Sequence, residues 1–111
     1  SEWDEENLYK NYVEAFHRIV ANSSAKTDPV SIRNTLEYIN NGAEYDPLLR
    51  CCILLPLIKY ELDNNCFEEF LEDELHAFAK DIKRGMYKRE SEEGIVQIQS
   101  DISYCLQMLN R

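Results

Sequence analysis

Apolar residues recur along this chain at intervals of three and four, and nowhere in a sustained alternation of two. That pattern predicts helices and no strands. The first run spans about residues 4–21, where Leu8, Tyr9, Tyr12, Val13, Phe16, Ile19 and Val20 fall on one broad face. Asp4, Glu5 and Glu6 occupy its first turn, where carboxylates favour the helix dipole. A polar loop from Asn22 to Thr27 follows. Asp28 and Pro29 then announce a second helix, with a capping oxygen before a residue whose fixed φ suits the first helical position. Ile32, Leu36 and Ile39 make its apolar side, and Asn40, Asn41 and Gly42 stop it.

Asp46 and Pro47 repeat the same start signal. The body that follows, LLRCCILLPLIKYEL, is the most apolar stretch of the chain and is expected to be the central, most buried helix. Pro56 inside it removes one backbone hydrogen bond and crowds the carbonyl four residues back, so a kink or a pair of short helices is expected. Asn64 and Asn65 make a turn, and Asn65 with Glu68 resembles a capping pair. A fourth helix is expected from about Cys66 to Lys88, with Phe67, Phe70, Leu71, Leu75, Phe78 and Ile82 inward and an early stop at Gly85. A fifth opens near Ser91 and carries Ile95, Ile98, Ile102, Cys105, Leu106 and Leu109. The expected fold is all-α: one domain over residues 1–111, a compact bundle of about five helices with its central helix kinked at Pro56. Its core is expected to draw on Phe16, Ile19, Leu36, Ile39, Leu49, Cys52, Ile53, Phe70, Leu71, Phe78, Ile98, Ile102 and Leu106.

Composition agrees with that picture. The chain has 111 residues, enough for one hydrophobic core and not two. Only three Gly and three Pro occur, which leaves few turns and long regular elements. No apolar run reaches the roughly 20 residues that span a bilayer, and the acidic N-terminus is unlike the basic start of a signal or transit peptide. Four cysteines stand at 51, 52, 66 and 105. Cys51 and Cys52 are neighbours, and Cys52 and Cys105 lie in apolar runs, so they read as small buried hydrophobes in a reducing, cytoplasmic setting.

Charge changes the picture most. Asp and Glu number 21 against 12 Lys and Arg, a formal net charge of −9. Such a chain is not built to bind nucleic acid or an anionic membrane directly, and its favoured partner is basic. The acids are uneven: residues 1–78 hold 16 acids and 6 bases, residues 79–111 hold 5 acids and 6 bases. The densest cluster is Glu68, Glu69, Glu72, Asp73 and Glu74, with Lys80, Lys83, Arg84, Lys88 and Arg89 following. Acid before base suits the helix dipole, but five acids in seven residues exceed what a dipole needs.

Chemistry is sparse beside this. Glu14 with His17 and Asp73 with His76 have the spacing of di-iron bundle ligands, but helical geometry turns them away from the apolar faces, so no metal site is expected. The cysteines lack an electropositive setting and a base, and there is no phosphate loop or GxSxG motif; no cofactor and no enzyme activity are expected.

Seven tyrosines against four phenylalanines suit a binding surface, since Tyr pairs large area with a polar tip. Tyr45, Tyr60, Tyr87 and Trp3 stand at segment ends or off the apolar stripes. The expected partner-binding residues are Glu68, Glu69, Glu72 and Asp73 with Tyr45 and Tyr60. In size, acidity and lack of chemistry the whole chain resembles immunity proteins, small inhibitors that cap the basic active site of a nuclease toxin, although no motif carries the likeness. A helical interaction domain or subunit of a larger intracellular complex, docking through Lys80 to Arg89, is the alternative. A mimic of double-stranded DNA is a weaker third, because the acids are clustered and not spread over a long face.

Overall fold

The computed structural model describes residues 7–22, 30, 32–34, 36 and 45–111. Among them are five helices and no strand: α1 (Leu8–Asn22), α2 (described at 30, 32–34 and 36), α3 (Pro47–Asp63), α4 (Leu71–Lys83) and α5 (Glu92–Leu109). The expected start signal at Asp28 and Pro29, Ile39 of the expected core, the stop at 40–42, and the acids at 4–6 lie outside the described residues.

α3 is the axle. Its N-cap Asp46 accepts the amides of Leu48 and Leu49, with Pro47 in the first turn as the sequence implies. Residues 51–58 are all buried, and α1, α4 and α5 each pack against it. A helix apolar on every side must be enclosed on every side, which is why this stretch ends up central. The helix runs unbroken from Pro47 through Pro56 to Asp63, so the pair of short helices does not form. Asn65 ends it in the left-handed region (φ 55°), with the amides of Asn65 and Cys66 on the carbonyls of Leu62 and Glu61. That is a Schellman turn with asparagine in the glycine position.

The fourth helix begins later than its apolar spacing implied. It opens at Leu71, and its cap residue, Phe70, makes no side-chain capping bond. Residues 66–70 form a turn instead, so Asn65 terminates α3 and does not cap α4. Gly85 (φ 70°) stops α4 as expected, through Gly85 and Met86 amides on the carbonyls of Ile82 and Asp81.

α5 starts at Ser91, whose hydroxyl accepts the Gly94 amide at 3.0 Å. Next to it, the buried Glu90 carboxylate spans two helix starts. Its Oε2 accepts Tyr9 N–H at 2.7 Å, and its Oε1 accepts Leu8 N–H at 3.1 Å and Ser91 N–H at 2.8 Å. The first turns of α1 and α5 therefore converge on one negative charge, where orphan amides and helix dipoles both favour it.

The core joins Tyr9 and Phe16 of α1, Ile32 and Leu36 of α2, the α3 stretch, Leu71, Leu75 and Phe78 of α4, and Ile98, Ile102 and Cys105 of α5. Ile19 and Leu106 pack at its edge and Leu49 is half-buried. Phe70, expected inside, is 57% exposed. Tyr87, read as off the apolar stripes, is buried.

Candidate protein-docking face

The five-acid cluster divides into two groups. Glu68 and Glu74 are tied inward. Arg33 of α2 grips Glu68 through Nε and Nη2 at 3.3–3.5 Å, and Arg50 of α3 takes Glu74 through the same two nitrogens. Both pairs are partly shielded from water and fasten the turn and the first turn of α4 to neighbouring helices. Glu69, Glu72 and Asp73 point outward. Among the described residues Glu72 pairs with His76, one turn along and itself exposed.

Phe70 stands among these three acids. The Arg33 guanidinium lies 5.1 Å from its ring centroid, so the pair that holds Glu68 also holds the phenyl ring. The result is an aromatic in contact with a guanidinium yet 57% exposed, with exposed carboxylates at Glu69, Glu72 and Asp73 beside it in the chain. Arg50 ties the first turn of α3 to the first turn of α4; Tyr45, just ahead of the α3 cap, is 84% exposed. Phe70 was missed as a surface residue because a fourth helix started at Cys66 turns it inward.

Tyr60 does not join this face. It is half-buried against Phe16, with ring centroids 5.7 Å apart, and lines a groove between α1 and α3 with Val13, His17 and Pro56. The adjoining groove, about 480 Å³, is floored by Tyr9, Lys59 and Asp101. Tyr9 donates its hydroxyl to Asp101 Oδ2 at 2.6 Å, while Gln97 and Lys59 donate to Oδ1 at 3.0 and 3.4 Å. Both oxygens of this buried carboxylate are thus engaged, and desolvation with the Asp101 contact drives the Tyr9 hydroxyl well above its ordinary range.

Glu14, His17 and His76 are all exposed. No group of three or more His, Cys, Asp or Glu among the described residues is placed to hold a metal ion. The four cysteines are free. Burial pushes the Cys51 and Cys105 thiols up to about 12, and raises Cys52 as well, so at neutral pH these three hold their protons. The basic stretch after α4 is partly engaged: Arg89 pairs with Asp46 at the cap of α3. No helix among the described residues is long and apolar enough to cross a membrane.

No protein-family model, no curated protein and no solved structure matches this chain.

Proposed function

We propose that the chain is a non-enzymatic protein-binding protein that neutralises a basic partner by docking through Phe70, Glu69, Glu72 and Asp73. The observation that supports this reading is the exposed phenyl ring in contact with Arg33, with exposed carboxylates at Glu69, Glu72 and Asp73 on the same short stretch of chain. An anchored aromatic gives binding area at little entropic cost, and the surrounding acids speed encounter with positive surface and repel nucleic acid. A nuclease toxin whose active site binds phosphate is the kind of partner such a face suits. Tyr45 would lie toward the rim, and Tyr60 takes no part.

The test is capture of partners at low and high salt, with wild type beside Phe70→Ala and a Glu69→Lys/Glu72→Lys/Asp73→Lys triple variant. A stoichiometric basic partner should be released by salt, lost by the triple variant, and weakened roughly 30-fold by loss of the aromatic anchor. Undiminished binding by the triple variant would sink this reading.

One observation favours the interaction-subunit alternative. Beyond its first turn, the outer face of α5 carries no charge over about three turns: Val96, Gln97, Gln99, Ser100, Ser103 and Gln107 are exposed there in a chain otherwise rich in acids. Charge depletion is what interface centres show. A subunit using that face should self-associate or retain its partner at high salt, and Ser103→Arg should abolish that behaviour.

A further inference from the structure

Beneath the acidic turn lies a carboxyl group with one oxygen unaccounted for. Glu61 of α3 is fully buried. Its Oε1 accepts the Glu68 amide at 2.9 Å, and its backbone carbonyl accepts the Cys66 amide at 2.9 Å. Its Oε2 is buried and has no hydrogen-bond partner among the described residues. A carboxylate left in that state is costly, whereas a carboxylic acid carries its own donor. The Glu68 carboxylate is within hydrogen-bonding reach to receive it, and Arg33 holds Glu68 in turn. Among the described residues, the charged and titratable groups facing Glu61 are Arg33 from α2, and Cys66 and Glu68 from the turn.

We infer that residues 66–70 form a proton-operated latch: one proton shared between Glu61 and Glu68 holds this turn, and Phe70 with it, in place, and loss of that proton frees them. The orphan oxygen places the proton on Glu61, and burial first, then the neighbouring Glu68 side chain, raise that carboxyl to about 8. The Glu68 amide on Oε1 and, more weakly, Arg33 oppose the rise, and the direct contact of Arg33 is with Glu68. At neutral pH the three groups are an acid, a carboxylate and a guanidinium, and the orphan oxygen is satisfied. After deprotonation two carboxylates face one guanidinium in a shielded site. Relief comes from the turn, since α3 is enclosed by its neighbours while residues 66–70 lie outside any helix, half-buried at 66–68 and exposed at Glu69 and Phe70. Docking at Phe70 then becomes alkali-sensitive. That consequence rests on the protein-binding reading above, and the latch itself does not.

The test is an NMR titration of the full chain from about pH 4 to pH 10, following the Glu61 carboxyl carbon, the Glu68 amide and the Phe70 ring. All three should move together with a midpoint near pH 8, matching the raised carboxyl. Glu61→Gln keeps a donor toward Glu68 but cannot titrate, so its step should vanish. Titration of Glu61 near the ordinary glutamate value of about 4.3 would overturn the latch. So would a step that survives in Glu61→Gln. If that variant fails to fold, the wild-type midpoint still decides. An oligo-arginine peptide, charged throughout the range, probes docking, and its affinity should fall about tenfold between pH 7 and pH 9.5. Affinity unchanged across the step refutes the gating of docking. A step without peptide binding at any pH keeps the latch and counts against the docking reading.

Discussion

Replacing Gly94 with alanine tests the joint that fastens α1 to α5. By propensity alone the change should stabilise, since glycine inside a helix costs about 1 kcal/mol relative to alanine. The structure reverses that sign. A Cβ at Gly94 would stand 2.3 Å from Glu90 Cδ and Oε1 and 2.6 Å from Cγ, so the glutamate must move. It cannot move cheaply. Its carboxylate is buried and accepts Leu8, Tyr9 and Ser91 amides together with the Ser91 hydroxyl. Two of those amides open α1, where no helical carbonyl replaces the lost acceptor. Hydrogen bonds to a charged acceptor are worth about 1.5–3 kcal/mol each. Loss of two, less the propensity gain, leaves a net destabilisation of roughly 2–5 kcal/mol. Urea unfolding followed by circular dichroism reads this directly, as a midpoint lowered by about 1–2.5 M for an m-value of about 2 kcal/mol/M. The sharper form is a double-mutant cycle. In a Glu90→Ala background the clash is gone, and Gly94→Ala should stabilise by about 1 kcal/mol. A single Gly94→Ala variant at least as stable as wild type would refute the joint.

Two further outcomes follow from the buried groups. In the folded protein, Cys51, Cys52 and Cys105 should resist a thiol-labelling reagent near pH 7.5, and half-buried Cys66 should react first; mass spectrometry showing label on Cys51 before Cys66 would contradict their enclosure. Glu61 takes up a proton on folding, because its carboxyl rises from an ordinary value of about 4.3 to about 8. Wild type should therefore lose stability relative to Glu61→Gln as pH rises through that window, and level off above it. Parallel stability curves for the two proteins would exclude the raised carboxyl.

The helices themselves were legible because local rules set them. Asp46 with Pro47, Ser91 with Gly94 and the positive φ at Gly85 are start and stop devices complete within a few residues. The burial of α3 was legible for a different reason: a stretch without a polar side admits only an enclosed position. The boundary between α3 and α4 was not. Phe67 and Phe70 are in phase with Leu71, Leu75, Phe78 and Ile82, so periodicity alone extends the helix back to Cys66. What ends that extension is Asn65 adopting a left-handed conformation, and Asn serves equally well as turn, cap or surface residue in sequence. Glu90 was hidden for a related reason. Its partners Leu8 and Tyr9 lie more than 80 residues away, and they are backbone amides that no side-chain pattern reports.

The candidate face follows from that same boundary. Had the helix begun at Cys66, Phe70 would be core and the five acids would form one solvated stripe. Beginning it at Leu71 sends Phe70 outward and leaves Glu68 and Glu74 beside Arg33 and Arg50. Those arginines are 35 and 24 residues away, so no local count of charges could have separated the acids that fasten the turn from those that face water. The division also fixes what each acid can do. Reversing Glu74 removes a partner from Arg50 and loosens α4 on α3, whereas reversing Glu69 or Asp73 changes only the field around Phe70. The cluster therefore holds acids that fasten the fold beside acids that face water, and in the proposed docking it is the outward three that can meet a basic partner without undoing the fold that presents them.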